Sequence, residues 1–512
     1  MKKLNWQDPL ALFDIAQTRQ LESSAATRIK HGPSLMEQAG LAVAKLAMAI
    51  QPFAPCYWVF CGPGNNGGDG LEAATHLHQW GRQVRVVLWH AGLQRPTDAA
   101  KALRKAQALG ISIQADLPSK EEVGSHDLCI DAMLGIGLRT PSATDSETQM
   151  QSWLDGIYKF GAEVLAVDVP SGLNANTGQF QNNLHAPHIQ ARHTLQLLSA
   201  KPGCFTAHGR DACGTLWLDA LGSEDLQQST QAIAQLNVPS RPATHALHAS
   251  HKGTFGDVAV IGGEDLGARG MGMRGAVDLA ASAALHAGAG RVMVCYLGAN
   301  APIPRMPEMM QRKLEALSLK TAAIVCGCGG GVAIATVLPK VLQESLQLVL
   351  DADALNAISK DPWLRDLLRL RSAKQMSSRM STVITPHPLE AARLLNTDSA
   401  TVQNDRLQAA QTLADNLKCT VVLKGSGTVI AKTGQTRVIN PTGNAHLATG
   451  GTGDVLAGLV GARLAQGMPE FEAACAAVYE HGQIADAWNL PTLTAGKLAE
   501  SIRGPQTASW WP

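Results

Sequence analysis

The chain has 512 residues, which is more than one ordinary domain holds, so two or three domains are expected. The charges nearly balance, with 43 Lys and Arg against 42 Asp and Glu, which argues against nucleic acid or an acidic membrane surface as a partner. No apolar run approaches the ~20 residues of a membrane-spanning helix, and Asp8 and Pro9 interrupt the region where a signal peptide has its apolar core.

The cysteines and the small residues predict the cellular compartment and the oligomeric state. The ten cysteines contain no Cys-x-x-Cys pair, so we expect reduced thiols and a cytoplasmic protein. Alanine and glycine are abundant, which favours closely packed α/β layers and buried contacts between identical subunits. A homo-oligomer is therefore predicted.

Residues 1–235 alternate short apolar strands with helical stretches. Strands are predicted at residues 57–61, 84–89, 128–131 and 164–168, and a helix is predicted between the first two, ending at Trp80. This alternation predicts a Rossmann-like, doubly wound parallel sheet. Motifs follow three of these strands, at the edge where open parallel sheets bind ligands.

The first motif is Asn65-Asn66-Gly67-Gly68-Asp69-Gly70, which is weak by itself because Asn-Gly pairs are common in turns. Its position between a strand and a helix favours a site. Asn66 and Asp69 could coordinate a cation there, or backbone amides could hold phosphate. The alternative is a purely structural turn.

Two carboxylates end neighbouring predicted strands. Asp131 is followed by the flexible loop Gly135-Ile136-Gly137-Leu138-Arg139, and Asp168 is followed by Pro170-Ser171-Gly172-Leu173. Carboxylates at neighbouring strand ends indicate acid/base catalysis or cation ligation. The structural alternative is that Asp168 and Ser171 cap the segment that follows.

The β/α pattern lapses in the Gln-, Ser- and Asp-rich stretch 223–240, where we place the domain boundary, giving domains of residues 1–235 and 236–512. Strands are then predicted at residues 257–261, 291–296, 322–326, 348–350, 382–385 and 419–423. The second domain is thus a larger α/β structure.

Five glycine-rich or polar motifs border the strands of the second half, at residues 252–256, 327–331, 351–355, 385–388 and 424–428. The last of these can hold a nucleotide phosphate with backbone amides and the Lys424 ammonium, although the leading glycine of a Walker A loop is absent. A turn would explain any one motif, but not all of them together.

The most informative motif is Ala448-Thr-Gly-Gly-Thr-Gly-Asp-Val-Leu456, which precedes a helical apolar run. Its glycines, Gly450, Gly451 and Gly453, allow a tight turn and close approach to a ligand. The helix start offers free N–H groups to phosphate. Because Asp454 would repel a phosphate, we interpret it as an acid/base group that acts on a hydroxyl beside a phosphoryl group. Glycine-rich sites in both halves indicate two active centres.

On these motifs the chain resembles the family of bifunctional NAD(P)H-hydrate repair enzymes. In that family an NAD(P)HX epimerase is fused to an ADP-dependent NAD(P)HX dehydratase with a ribokinase-like fold. The epimerase motifs are Gly62-x-Gly64-Asn65-Asn66-Gly67-Gly68-Asp69-Gly70, Asp131-Ala-Met-Leu-Gly135-Ile-Gly137 and Val167-Asp168-Val-Pro170-Ser171-Gly172-Leu173. The dehydratase motifs are His251-Lys252-Gly253, Asp351-Ala-Asp353-Ala-Leu355, Thr385-Pro386-His387-Pro388, Lys424-Gly425-Ser426-Gly427-Thr428 and residues 450–454.

The resemblance implies site residues in both halves. Asp168 would bind the substrate of the epimerase and move the proton, and a potassium ion would be ligated by Asn66, Asp131 and Ser171. The epimerase residues that would contact the hydrated nucleotide are Asn65, Asn66, Gly67, Gly68, Asp69, Gly135, Ile136, Gly137, Leu138, Arg139, Thr140 and Pro141. In the dehydratase half, Asp454 would be catalytic, and the hydrated nicotinamide nucleotide would lie against Ala276, Gly331 and His387. ADP, with Mg²⁺, would be held by Lys424, Gly425, Ser426, Gly427, Thr428 and Gly453.

The implied substrates are NADHX and NADPHX, reduced nicotinamide nucleotides that carry an added water in two epimeric forms. Phosphorylation of the added hydroxyl would turn a poor leaving group into a good one, and epimerisation would supply the form that fits the dehydratase.

Four positions depart from the family pattern. Cys328 and Gly330 replace a proline and a leucine in the motif that reads Gly327-Cys328-Gly329-Gly330-Gly331, Leu389 replaces a glycine, and His446 stands where a small or apolar residue is usual. Two alternative functions stay open at this point. One is a ribokinase-type small-molecule kinase with an accessory nucleotide-binding domain. The other is a non-enzymatic nucleotide-binding protein, which would not need Asp168 and Asp454.

Overall fold

The structure is a computed structural model that describes residues 1–90, 92–137, 144–180, 191–239, 248–298, 306–373 and 380–504. The chain divides into two compact units, one of Met1–Asn5 with Leu10–Ala234 and one of Trp6–Pro9 with Gln235–Pro512. The segment Trp6–Pro9 therefore belongs to the second unit, which the linear bounds 1–235 and 236–512 do not anticipate. Within that unit the Tyr479 hydroxyl donates to the Trp6 carbonyl at 3.1 Å.

The first unit contains short strands alternating with helices. Its strands are β1 (Lys2–Lys3), β2 (Ala11–Leu12), β3 (Tyr57–Cys61), β4 (Val84–Leu88), β5 (Ser112–Gln114), β6 (Leu128–Ala132), β7 (Glu163–Val167), β8 (His193–Leu197) and β9 (Thr215–Asp219). Its helices are α1 (Ile15–Arg28), α2 (Leu35–Ile50), α3 (Asn65–Gln79), α4 (Thr97–Ala108), α5 (Thr144–Lys159), α6 (Gly209–Ala212) and α7 (Glu224–Ser229).

The sheet of the first unit has the strand order β1-β9-β8-β7-β6-β3-β4-β5. Neighbouring strands are parallel except for β1 and β9. The chain runs outward from β3 to β5 and then returns to β6 on the other side of β3. The loops after β3 and β6 therefore diverge, and such a reversal leaves a ligand-binding crevice at the carboxyl ends of the strands.

The central strands of this sheet are apolar because helices cover both faces. All five residues of β3 and of β6 are buried. Val59 and Ile130 pack in a cluster with residues of α2 and α3, whereas Trp58 and Phe60 pack on the opposite side with residues of α5. A Cβ on Gly67 would lie 2.0 Å from the Gly62 carbonyl oxygen, so glycine is required for α3 to begin directly after β3.

The second unit contains more elements. β10 (Ala234–Leu236) spans the boundary between the two units, and the strands that follow are β11 (Asp257–Gly262), β12 (Arg291–Tyr296), β13 (Met310–Gln311), β14 (Ala323–Cys326), β15 (Gln347–Leu350), β16 (Ser381–Ile384), β17 (Thr420–Leu423), β18 (Val429–Ala431) and β19 (Arg437–Ile439). The helices are α8 (Leu266–Arg269), α9 (Arg274–His286), α10 (Ile334–Glu344), α11 (Ala352–Lys360), α12 (Pro362–Ala373), α13 (Pro388–Leu395), α14 (Ser399–Asn404), α15 (Arg406–Leu417), α16 (Thr452–Ala465), α17 (Glu470–Asp486) and α18 (Ala495–Ser501).

The strands of the second unit run in the order β13-β12-β11-β14-β15-β16-β17-β18-β19. They are parallel as far as β17, and β18 and β19 continue the sheet in antiparallel pairing. The order reverses between β11 and β14, so a second crevice is expected beside the ends of these two strands. The predicted α/β class is confirmed, with a doubly wound sheet in the first half and a larger α/β domain in the second.

Helices α9 and α16 pack against each other over the second sheet. A Cβ on Gly458 of α16 would lie 2.0 Å from the Ala280 carbonyl oxygen of α9, which shows how closely the two backbones approach. Most of α16 is apolar and buried, which agrees with its position in the core. Within the described part of the chain, no helix combines the length and the apolar character that crossing a membrane requires.

Candidate active sites

The centre of the first candidate site is a buried pair, Asp131 at the end of β6 and Ser171 after β7. The Ser171 hydroxyl donates to Asp131 Oδ1 at 2.6 Å, and the Ser171 N–H donates to Oδ2 at 3.0 Å. The Met133 N–H also donates to Oδ1, at 3.3 Å. Burial raises the pKa of Asp131, because these hydrogen bonds only partly offset the loss of hydration.

The third predicted cation ligand, Asn66, lies in the first turn of α3. Its side-chain nitrogen is buried and has no hydrogen-bond partner within the described residues. Its side-chain oxygen would lie 3.1 Å from a Cβ on Gly135. The donor set is oxygen-based, and the groups that offset the burial of Asp131 are hydrogen-bond donors and not cationic side chains. These residues therefore fit a hard cation such as potassium.

Asp168 forms an ion pair that the sequence did not predict. The strand was predicted to extend to residue 168, but β7 ends at Val167 and Asp168 has a φ of 68°, in the left-handed region. Its Oδ1 accepts hydrogen bonds from the Lys201 ammonium and from the Leu197 N–H. Lys201 is fully buried, and its ammonium also donates to the Leu197 carbonyl at 2.6 Å. The carboxylate is thus buried with its own counter-ion.

Two more carboxylates face the Asp168–Lys201 pair. Burial raises the pKa of Asp69 well above its usual range, and the negative charges of Asp168 and Glu22 raise it further. The pKa of Glu22, on α1, is also raised by burial and by Asp168. Three carboxyl groups around one ammonium favour retention of a proton by one of them, as acid/base chemistry requires.

The predicted substrate residues Asn65, Asn66, Gly67, Gly68 and Asp69 are the first five residues of α3. The first is exposed, the next three are buried and the last is half-buried. The N-cap of α3 is a glycine and makes no side-chain hydrogen bond. The first backbone N–H groups of this 15-residue helix are therefore available to an anion such as a phosphate.

The loop after β6 is described in part. Gly135 and Ile136 are half-buried and Gly137 is exposed, with open space where a Cβ would stand on Gly137. The predicted contacts Leu138, Arg139, Thr140 and Pro141 lie outside the described residues. A cavity of about 910 Å³ in this unit lies at the amino ends of β7, β8 and β9, and the candidate residues do not line it.

The second candidate site lies at the carboxyl ends of β14, β15 and β17 and is completed by the start of α16. The N-cap Gly451 has a φ of 93° and makes no side-chain hydrogen bond. Asp454, Asp351 and Cys328 form a cluster in which one polar atom of each lies within 4.8 Å of the others. Burial and the like charge of Asp351 raise the pKa of Asp454 to about 7. Such a carboxylate is suited to accept a proton at neutral pH.

Lys424, predicted to hold a nucleotide phosphate, pairs with a carboxylate of the same site. Its ammonium lies 2.7 Å from Asp351 Oδ1, and it would lie 3.3 Å from a Cβ on Gly453. Glycine at position 453 therefore lets the ammonium approach the start of α16. The structure brings together Lys424, Asp454 and Gly453, although their motifs are far apart in the sequence.

The remaining residues of the predicted ADP loop follow β17. Gly425 and Ser426 are exposed, Gly427 is buried, and the half-buried Thr428 donates its hydroxyl to the Gly425 carbonyl at 3.1 Å. Gly425 has a φ of 141°, and a Cβ there would lie 2.8 Å from the guanidinium of Arg406. Arg406 is buried and donates to the Leu423 and Lys424 carbonyls, so its hydrogen bonds hold the start of this loop in place.

His387 is the N-cap of α13. Its Nδ1 accepts hydrogen bonds from the N–H groups of Leu389 and Glu390 at 3.1 and 3.3 Å, and its Nε2 lies 3.3 Å from Glu390 Oε1. Burial and the nearby Lys424 lower the pKa of His387, whereas burial raises the pKa of Glu390 to about 7. The imidazole is thus held in place as a neutral, half-exposed ring.

Gly331 lies within the loop after β14, and Ala276, on α9, lies beside this loop. Ala276 is buried, and its Cβ would lie 3.0 Å from a Cβ on Gly329. The Gly331 N–H donates to the Asp353 carboxylate at 2.9 Å. A Cβ on Gly331 would lie 2.1 Å from the carboxylate of the buried Glu264. Gly331 is therefore buried between two acidic side chains in this structure.

Several residues of the two sites received no role from the sequence. Lys201 follows β8, so its position after a strand could have indicated it, and Asp351 belongs to the motif 351–355 that follows β15 but was given no individual role. Glu22 lies on a helix with no motif, and Cys328 belongs to the motif 327–331, where it departs from the family pattern.

Comparison with known proteins adds independent information on both units. The family described as YjeF-related protein N-terminus matches residues 32–203, and the family described as NAD(P)H-hydrate dehydratase matches residues 258–503. The bifunctional NAD(P)H-hydrate repair enzyme Nnr of Coxiella burnetii is 35% identical over 492 residues, which cover 93% of this chain and 94% of that protein. The enzyme of the same name from Escherichia coli is 35% identical over 486 residues, 91% of this chain and 87% of its own.

A shorter relative matches the second unit. The ADP-dependent (S)-NAD(P)H-hydrate dehydratase of Neisseria meningitidis is 42% identical over 268 residues, which cover 50% of this chain and 86% of that protein. These relatives confirm the resemblance inferred from the motifs and do not support the small-molecule kinase alternative. The chain belongs to the family of bifunctional NAD(P)H-hydrate repair enzymes.

Proposed function

We propose that the first unit interconverts (R)- and (S)-NAD(P)HX and that the second unit dehydrates (S)-NAD(P)HX to NAD(P)H, with ADP as phosphoryl donor and AMP and phosphate as products. The observation that carries the proposal is the position of Asp454. It combines a pKa of about 7 with a place in the first turn of a helix whose N-cap, Gly451, makes no side-chain hydrogen bond within the described residues. A proton acceptor beside a phosphate-binding helix start is what phosphorylation of a hydroxyl requires.

In the dehydratase, Asp454 takes the proton of the substrate hydroxyl. The hydroxyl oxygen then attacks the terminal phosphoryl group of ADP, and the P–O bond to AMP breaks. The N–H groups at the start of α16 and the Lys424 ammonium stabilise the charge on the transferred group. Phosphate subsequently leaves with the electrons of the C–O bond, and loss of a ring proton restores the nicotinamide double bond.

The other predicted dehydratase residues position the two substrates. We assign Ala276, Gly331 and the neutral ring of His387 to the hydrated nicotinamide. The loop of residues 424–428, in which Gly425 and Ser426 are exposed, is assigned to ADP, together with Gly453. Mg²⁺ is expected to accompany ADP, because the carboxylates of Asp351 and Asp353 offer the oxygen donors that this ion prefers.

In the epimerase, Asp168 is the proposed proton carrier. Its carboxylate pairs with the buried Lys201 ammonium, and the neighbouring carboxyl groups of Asp69 and Glu22, whose pKa values are raised by burial, can supply a proton to the substrate. Asn66, Asp131 and Ser171 would hold potassium, whose positive charge would balance the buried Asp131. The helix start of α3 would hold a phosphate of the nucleotide.

Two attributes of the whole protein remain proposals. Its cysteines are unpaired, and nine of the ten are buried, which supports function in the reducing cytoplasm. Assembly into a homo-oligomer rests on composition, and the mass of the purified protein in light scattering would test it.

The proposed function is tested with a mixture of NADHX epimers, incubated with and without ADP while NADH absorbance is followed. We expect complete conversion with ADP and no NADH without it. Accumulation of a stable phosphorylated product would instead support a small-molecule kinase. If only one epimer is converted, the dehydratase assignment is retained and the epimerase assignment is wrong.

A further inference from the structure

A buried arginine lies against the loop that is proposed to hold ADP. Arg406 is the first residue of α15, and its exposed fraction is 1%. Its Nη2 donates to the Leu423 carbonyl at 3.1 Å and to the Lys424 carbonyl at 3.2 Å, and its Nη1 donates to Gln403 Oε1 at 2.6 Å. The guanidinium therefore binds two consecutive carbonyl groups where β17 ends and the loop of residues 424–428 begins.

Glycine at position 425 allows the guanidinium to lie directly against this loop. Gly425 has a φ of 141°, and a Cβ there would lie 2.8 Å from both Nη1 and Nη2 of Arg406. There is no room for a side chain between the two groups. The positive charge of Arg406 therefore lies immediately behind the backbone of an exposed residue of the proposed ADP site.

The charge of Arg406 has no anionic partner within the described part of the chain. The neighbouring carboxylate of Asp405 accepts a hydrogen bond from the Gln408 N–H at 2.9 Å and caps α15. Burial lowers the pKa of Arg406 to about 10, and no described carboxylate opposes this shift, so the guanidinium stays charged at neutral pH. A buried cation without a partner destabilises a fold. An anionic ligand on the adjacent loop would compensate the charge.

The hydrogen bond to the Lys424 carbonyl also sets the direction of the next N–H group. In a trans peptide bond the C=O and the N–H point in opposite directions. Because the Lys424 carbonyl points toward Arg406, the Gly425 N–H points away from it, and no described residue accepts a hydrogen bond from this N–H. Since Gly425 is exposed, its N–H is available to a phosphate oxygen on the outer side of the loop.

From this geometry we propose that Arg406 is a positioning residue for ADP: it binds the inner side of the loop, directs the Gly425 N–H toward the diphosphate and places a positive charge behind that N–H. The inference rests on the proposed binding of ADP to residues 424–428. Arg406 acts through the loop backbone and does not touch the substrate hydroxyl. It should therefore determine the affinity for ADP and leave the chemical step unchanged.

The test is the separation of KM from kcat in the full chain. Arg406→Met should raise KM for ADP, and the Kd of ADP measured by calorimetry, by about tenfold, because the carbonyls lose hydrogen bonds from a charged group. The kcat at saturating ADP and KM for (S)-NADHX should change by less than about twofold. Arg406→Lys keeps the charge but cannot bind both carbonyls with a planar fork, so it should raise KM for ADP by about threefold.

Arg371→Met is the matched control. Arg371, on α12, is 3% exposed, and its Nη2 donates to the Leu346 and Ser381 carbonyls at 3.0 Å each. These carbonyls lie at the amino ends of β15 and β16, at the opposite edge of the sheet from the ADP loop. Arg371→Met should lower the melting temperature as Arg406→Met does, with KM for ADP at the wild-type value. Equal increases of KM for ADP in both variants would indicate a purely structural role and overturn the proposal.

Binding of ADP to the wild-type protein keeps this inference separate from the proposed function. If the wild type binds ADP and the Arg406 variants bind it equally well, the inference is wrong while the proposed function is retained. If the wild type neither binds ADP nor forms NADH with it, the loop is misassigned and the inference is wrong as well. If Arg406→Met does not fold, Arg406→Lys decides: a wild-type KM for ADP overturns the proposal, and a raised KM with unchanged kcat supports it.

Discussion

The two candidate sites occupy the same topological position and differ in their electrostatics. Each lies at the carboxyl ends of parallel strands, beside the point where the strand order reverses and a glycine-capped helix begins. In the first unit the central carboxylate, Asp168, is paired directly with a buried ammonium. In the second unit the ammonium of Lys424 is paired with Asp351, and Asp454 is left with a raised pKa. The fold therefore puts a carboxylate at the same topological position in both units, and the two sites differ in whether that carboxylate is paired directly with an ammonium group.

The largest expected effect comes from removing the proposed base of the second site. Asp454→Asn should lower ADP-dependent NADH formation by about 10²–10⁴-fold, the usual contribution of a positioned acid/base group. Binding of ADP, measured by calorimetry, should persist, and epimerisation in the first unit should be unchanged. Turnover near the wild-type rate would remove Asp454 from the mechanism.

Removing the corresponding carboxylate of the first site should give a different kinetic signature. In the full chain, Asp168→Ala should slow epimerisation by about 100-fold or more. NADH should then form in two phases, a fast phase from one epimer and a remainder limited by spontaneous epimerisation. Consumption of both epimers at the wild-type rate would show that the first unit is not the epimerase.

Loss of the direct ion pair between Asp168 and Lys201 should lower the free energy of unfolding more than loss of a surface ion pair. Lys201→Met leaves the Asp168 carboxylate buried without its partner and should cost about 3–5 kcal/mol in the free energy of unfolding. Lys497→Met is the control, because Lys497 pairs with Glu500 on the surface at 2.8 Å and should cost at most ~1 kcal/mol. The double variant Lys201→Met with Asp168→Ala should recover part of the loss. Equal melting temperatures for Lys201→Met and the control would contradict the buried pair.

The raised pKa of Asp454 predicts that activity and stability respond to pH in opposite directions. Dehydratase kcat/KM should fall about tenfold per pH unit below about pH 7 as Asp454 is protonated. Because the folded-state pKa lies above the unfolded value, ionisation of Asp454 destabilises the fold as pH rises from 3.8 to about 7, and this loss is complete above about 7. Asp454→Asn should therefore raise the melting temperature by about 2–4 °C at pH 8 and by less near pH 5. A variant that melts lower than wild type at pH 8 would argue against a buried, raised carboxyl group.

The smallest expected effect concerns the cation of the first site. Epimerisation should be several-fold faster in potassium than in a buffer of tetramethylammonium, because the buried Asp131 then gains a positive partner. Asp131→Asn should reduce this dependence, and the dehydratase should serve as the internal control. An epimerase indifferent to potassium after thorough buffer exchange would show that Asn66, Asp131 and Ser171 do not form a cation site.

Much of this organisation could be predicted from local sequence patterns. Continuous apolar runs such as β3 and β6 identify buried parallel strands, and glycines or carboxylates directly after them identify the ligand-binding edge. The limits of the strands were less certain. Asp168 was expected at the end of β7, but its left-handed φ of 68° takes it out of the strand and turns it toward Lys201.

What the sequence by itself determined was the α/β class, the position of each motif at a strand end and the identity of Asp168 and Asp454 as candidate acid/base groups. Only the tertiary structure decided which side chains accompany them. Lys201 meets Asp168 because β8 pairs with β7, and Lys424 meets Asp351 because β17 and β15 flank β16. Cys328 reaches Asp454 because α16 begins above the end of β14. Contacts between distant segments depend on the order of the strands in the sheet, and the pKa shifts depend on how deeply each group is buried. A local pattern of residues determines neither of these.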